Sequence, residues 1–126
     1  MEILLVDDDP DLLDSAAMLL ADCGHAITTA ENAVAALSVL QSQPGMQLLL
    51  TDIVMPGMNG FELANKAKVV RPDLCIIYMT GYSVDSLPAS QLLHGALLMK
   101  PWALDQLLEE IDRCQNPGRD RQLPAG

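Results

Sequence analysis

Residues 3–10, ILLVDDDP, decide how the rest of the chain is read. Four apolar, β-prone residues run without alternation straight into three consecutive carboxylates, Asp7, Asp8 and Asp9. An unalternating apolar run marks a strand buried on both faces, as in a parallel sheet covered by helices. The carboxylates pose the opposite problem. Two unit charges about 4 Å apart repel by roughly 4 kcal/mol at the effective dielectric of a protein surface. A cation or full solvation has to offset that repulsion.

Similar apolar runs recur at residues 48–51, 74–79 and 96–99, with a weaker, more polar one at 26–29. The segments between them carry helical period. Residues 11–23 place Leu12, Leu13, Ala16, Ala17, Leu19, Leu20 and Cys23 on a broad apolar stripe. Pro10 suits the first helical position, Asp9 the N-cap, and Gly24 the C-terminal stop. Residues 32–41, 61–70 and 104–114 read as further helices, each stopping before or beside a proline or glycine. Residues 84–93 form the weakest helical pattern, short and interrupted by Pro88. Five strands alternating with five helices make a doubly wound α/β sandwich around a five-stranded parallel sheet. Such sheets bind ligands at the carboxyl ends of their strands, near the switch in strand order. Residues 1–115 read as one domain, and residues 116–126, NPGRDRQLPAG, as a flexible C-terminal tail.

Half of the 126 residues are hydrophobic, but the aromatics are only Phe61, Tyr78, Tyr82 and Trp102, so the core is aliphatic. A net charge of −10 argues against nucleic acid and against an anionic membrane surface as direct partners. No apolar run approaches bilayer-spanning length and no basic n-region precedes one, so a cytoplasmic place is expected. Cys23, Cys75 and Cys114 are odd in number and widely spaced, with no C-x-x-C pair. They read as reduced, buried or half-buried thiols.

The chemistry collects where the strands end. Asp7 to Asp9 follow the first strand, Asp52 the third in LLLTDIVMPGMNG, Thr80 the fourth in IIYMTGY, and Lys100 the fifth in LLMKPW. Parallel strands bring all of them to one edge. Clustered carboxylates suit a hard cation such as Mg2+. A carboxylate beside that cation can attack phosphorus, and the ammonium of Lys100 together with the Thr80 hydroxyl can meet the phosphoryl oxygens. The two glycines and the proline of MPGMNG let backbone groups come close to the site. Simpler roles fit the neighbours. Asp9 is an N-cap, Asp11 and Asp14 favour a helix dipole, and Thr51, His25 and His94 are given no role. Trp102 packs at the start of the last helix.

The acidic run, the single Asp before MPGMNG, the Thr ending the fourth strand and the Lys-Pro ending the fifth occur in that order. From Glu2 to about Cys114 the chain resembles the receiver domain of a two-component response regulator, a CheY-like (βα)5 protein. The resemblance implies a flavodoxin-like sheet of order 2-1-3-4-5, with two helices on one face and three on the other. It implies that Asp52 is the phosphoacceptor and that Asp8 binds Mg2+ directly, with Asp7 supporting it through water. Asp52 and the backbone carbonyl of Val54 complete the metal ligands, and Thr80 and Lys100 contact the phosphoryl oxygens. The donor it implies is a phosphohistidine on a sensor histidine kinase or histidine phosphotransfer protein, and the output a downstream protein partner. A homodimer through the face of the fourth helix, fifth strand and fifth helix is common in the family. The receiver is not a conventional enzyme, though it assists its own phosphorylation and dephosphorylation.

One position departs from the family pattern. Receivers usually carry Tyr or Phe three residues before the Lys, and here that position is Leu97. The aromatic switch is absent in its usual form, and Tyr82 is expected to take part of the readout. Val54 and Tyr82 stand two residues after Asp52 and Thr80, where apolar bulk hinders water and should lengthen the life of the phosphoryl state. Other classes fit less well. A haloacid-dehalogenase-type phosphatase wants Thr where Asp11 stands, and a flavodoxin-type carrier wants a hydroxyl- and glycine-rich first loop. The alternative is a receiver fold used as a phosphorylation-independent interaction module, which Leu97 leaves open.

Overall fold

A computed structural model describes residues 1–81, 95–100 and 102–115. The elements run β1 (Glu2–Val6), α1 (Pro10–Asp22), β2 (Ala26–Ala30), α2 (Ala33–Ser42), β3 (Leu48–Asp52), α3 (Gly60–Val70), β4 (Cys75–Thr80), β5 (Gly95–Met99) and α4 (Leu104–Gln115). The strands form one sheet of order β2-β1-β3-β4-β5, parallel at each pairing, as expected. The helix expected over residues 84–93 and the tail from 116 lie outside the described residues.

The sheet splits the core into two layers. Leu4, Val6, Leu49, Ile76 and Tyr78 point to one side, where α2 and α3 cover them through Ala36, Leu40, Leu63, Ala64 and Ala67. Ile3, Leu5, Leu48, Leu50, Ile77 and Met79 point to the other and meet Leu13, Ala16 and Leu20 of α1 and Leu107 and Ile111 of α4. Alternate side chains thus face opposite layers that are both apolar, which is why the strands read as unbroken hydrophobic runs. Every residue of β3, the central strand, is buried.

The helix ends follow their caps. Asp9 accepts from the amides of Asp11 and Leu12, and Gly24 takes the positive φ of 94° that ends α1. Asn59 and Glu62 form a reciprocal capping box at the start of α3. Trp102 packs half-buried against the α1–α4 layer, as expected.

The cysteines correct the sequence reading. Cys75 and Cys114 are joined in a disulfide with their Cα atoms 6.0 Å apart, and only Cys23 is free, exposed after α1. The two paired residues stand 39 positions apart in the chain. The fold brings them together because α4 runs antiparallel to the strands and ends where β4 begins.

Candidate functional site

The register aligns the strand ends that matter. Val6 pairs with Thr51, and Asp52 pairs with Met79, so Asp7 and Asp52 leave adjacent strands at the same level. Thr80 pairs with Met99, and the Lys100 amide donates to the Thr80 carbonyl at 2.7 Å, which holds Lys100 at the edge of the sheet.

Oxygens of Asp7, Asp8 and Asp52 lie within 4.8 Å of one another. Asp7 and Asp52 are buried, while Asp8 is exposed. The Lys100 ammonium donates to Asp7 Oδ2 at 2.7 Å and lies 3.4 Å from Asp52 Oδ2. A buried carboxylate without a partner is costly, and Lys100 supplies that partner from the far end of the sequence. Burial pushes the Asp52 carboxyl above the ordinary carboxylate range. The Lys100 charge works against that shift and the Asp7 charge adds to it. Burial pulls the Lys100 ammonium down, but its bond to Asp7 and the charges of Asp52 and Asp7 outweigh burial, and the net shift is upward. Three carboxylate donors around one point, one of them open to solvent, fit a hard oxygen-seeking cation.

The loop between β3 and α3 is closed at its neck. The Gly60 amide donates to the Ile53 carbonyl at 2.8 Å, and the Ile53 amide donates to the Met79 carbonyl at 2.9 Å. A Cβ at Gly60 would collide with the carbonyl oxygen of Asp52 and with Cα of Ile53, so this position requires glycine. Gly57 takes φ of 80° in the turn. Val54 is half exposed on the loop, at 48%.

The structure brings Asp7, Asp8, Asp52 and Lys100 together and places Thr80, buried, at the same edge. Asp9 stays an N-cap, although its amide donates to Asp7 Oδ1 at 2.9 Å and so helps to orient that carboxylate. Sequence reasoning passed over one positioning group. Thr51, buried, donates its hydroxyl to the Asp52 carbonyl at 2.9 Å. Gly60, one of the two glycines read as letting backbone groups come close to the site, does so: it sets how close α3 comes to Asp52. The signal for Gly60 was the glycine- and proline-rich loop; Thr51 had none.

At Leu97 the side chain is half-buried against the α2–α3 layer, in register beside Tyr78 of β4. Tyr78 is fully buried, with its ring 5.2 Å from that of Phe61 and its hydroxyl without a hydrogen-bond partner among the described residues. Burial raises that hydroxyl to about 12. Tyr82 lies outside the described residues.

The family described as response regulator receiver domain matches residues 3–112. The response regulator receiver protein CpdR of Brucella abortus (strain 2308) is 41% identical over 113 residues, which cover 88% of this chain and 93% of CpdR. The DNA-binding transcriptional regulator NtrC of Azospirillum brasilense is 34% identical over 116 residues, covering 90% of this chain but 24% of NtrC. Among solved structures, the response regulator TrrA of Thermotoga maritima, in complex with Mg2+ and BeF, superposes with a TM-score of 0.82 at 31% identity, covering 90% of this chain and 97% of TrrA. With the family matched over most of its length and the sheet order observed, the chain belongs to the receiver domains of two-component response regulators.

Proposed function

We propose that this receiver works as a phosphorylation-dependent switch, with Asp52 as the phosphoacceptor. The observation that carries the proposal is the Lys100 ammonium, 2.7 Å from Asp7 and 3.4 Å from Asp52 across three mutually close carboxylates. An Asp52 oxygen attacks the phosphorus of a phosphohistidine on a sensor histidine kinase or phosphotransfer protein. The O–P bond forms as the N–P bond breaks, and the imidazole leaves. Lys100 and the Thr80 hydroxyl meet the oxygens of the transferring group, where preorganised positive charge and donors matter most. Asp7, Asp8, Asp52 and the Val54 carbonyl are the residues that would hold Mg2+, which supplies further positive charge to those oxygens when bound. The close carboxylates support that assignment, as does the likeness to TrrA in its Mg2+ and BeF complex.

The output is a changed surface for a downstream protein partner. A cytoplasmic place follows from the class of donor. The chain acts on itself and is not a turnover enzyme. The exposed Val54 side chain, beside the acceptor, favours a long-lived phosphoryl state by hindering water.

The test is intact mass after incubation with acetyl phosphate, with and without Mg2+, beside Asp52→Ala. One Mg2+-dependent phosphoryl addition, lost in the variant, is expected. No addition, with no Mg2+ binding, favours a phosphorylation-independent interaction module and makes Leu97 its first clue.

A further inference from the structure

The amino edge of the sheet, opposite the acidic cluster, carries a chemistry of its own. Cys75 opens β4 and Cys114 lies in the last turn of α4, and the bond between them closes a segment that contains β4, β5 and α4. Both residues are half exposed and line an open cavity of about 390 Å³. That volume falls within the range of small-molecule sites, about 300–1,000 Å³. Arg71, Asp73 and Gln47 line the same cavity. The Arg71 Nε lies 3.9 Å from Asp73, and its Nη1 is buried with no hydrogen-bond partner among the described residues. The guanidinium shares this cavity with both sulfurs and with Asp73, and disulfide exchange runs through a thiolate that attacks or leaves.

We propose that Cys75 and Cys114 form a reversible redox pair, exchanged with a small anionic thiol such as glutathione that enters through this cavity. In the oxidising direction, one Cys thiolate attacks a sulfur of glutathione disulfide. A mixed S–S bond forms and one glutathione thiolate leaves. The second Cys thiolate attacks the mixed disulfide and displaces the other glutathione. Two electrons pass from the cysteine sulfurs to glutathione disulfide, and the two thiol protons end on the two glutathiones released. In a reducing compartment a disulfide is characteristically transient or redox-sensing rather than fixed. The bond ties the end of α4 to the sheet, and α4 is otherwise held through Leu107 and Ile111. Opening it frees the last turn of a helix whose chain also carries Lys100 at its other end.

The pair is tested without any phosphorylation step, so its outcome is separate from that of the acceptor assignment. Cys23, exposed and outside the pair, is first replaced as Cys23→Ser. The folded full chain is then equilibrated in glutathione buffers of graded potential, quenched in acid, alkylated and weighed. The expected result is passage from two free thiols to none within the range of those buffers. The oxidised form should melt about 10 °C above the reduced form, and the amides of residues 114–115 should exchange at least tenfold more slowly in it. Cys114→Ser, in the same background, should melt like the reduced chain in every buffer. Thiols still free in the most oxidising buffer overturn the proposal, as does a bond still closed in the most reducing one. Coincident melting of the two forms also overturns it, and that comparison needs no substitution within the pair.

Discussion

The two edges of this sheet are built on opposite principles. At the carboxyl edge Asp7, Asp8, Asp52 and Lys100 crowd together, and like charges are held within 4.8 Å by the strand register. At the amino edge a covalent bond joins β4 to α4 at the border of the α1–α4 layer, beside an open cavity. One edge stores electrostatic repulsion and the other removes chain entropy. The lesson is a division of labour. Stability gathered at the amino edge and in β3 lets the carboxyl edge hold an arrangement that would not persist alone, as functional sites commonly require.

That contrast can be broken most severely at Lys100. Lys100→Ala should lower the rate of phosphoryl uptake from acetyl phosphate by about 10²–10³-fold, the usual cost of losing one preorganised donor. The same change leaves Asp7 buried without its ion pair, so urea unfolding should register a loss of up to roughly 3 kcal/mol. Unchanged uptake would remove Lys100 from the chemistry and leave it a structural partner of Asp7.

Gly60→Ala comes next. The added Cβ meets the Asp52 carbonyl and Ile53 Cα, which are backbone and cannot swing aside. A stability loss of about 1–3 kcal/mol is expected from overpacking, with slower uptake as Asp52 is displaced. A variant as stable as the parent would mean that α3 can shift away from the site freely. Asn59→Ala removes the reciprocal cap one residue earlier and should cost about 1 kcal/mol with uptake unaltered. The pair thus separates anchoring of α3 from positioning of Asp52.

The smallest effect on stability sharpens the contrast from the other direction. Burial raises the Asp52 carboxyl above its ordinary value of 3.8, so the native state binds that proton more tightly than the unfolded chain does. Stability therefore falls as pH rises through the window that begins near 3.8, and the cost is fully present once the native carboxyl has ionised. Asp52→Asn should raise the melting temperature at neutral pH by a few degrees while abolishing uptake. A lower melting temperature would mean that the pair with Lys100 outweighs burial.

The fold was legible because the inner strands β1, β3 and β4 are flanked by apolar layers on both sides. Leu48, Leu49 and Leu50 point alternately to the two layers, and no polar face interrupts them. The site was legible because the chain changes chemical character where each strand ends, at Asp7, Asp52, Thr80 and Lys100. The disulfide was not, since 39 positions of sequence say nothing about distance in space. Nor was the bond from Thr51 to the Asp52 carbonyl, since a hydroxyl inside an apolar run can turn to any backbone acceptor in reach. The glycines of MPGMNG pointed to a close backbone approach, but that Gly60 meets Asp52 in particular depends on how α3 docks.

Trp102 is the single tryptophan of the chain, two residues beyond Lys100 and half-buried against the α1–α4 layer. In the chain it stands between Lys100 and the helix that the disulfide fastens. The molecule therefore carries its own optical probe. Emission excited at the red edge of the protein band comes from one place, and a spectrum taken without any label reads the junction through which the two edges meet.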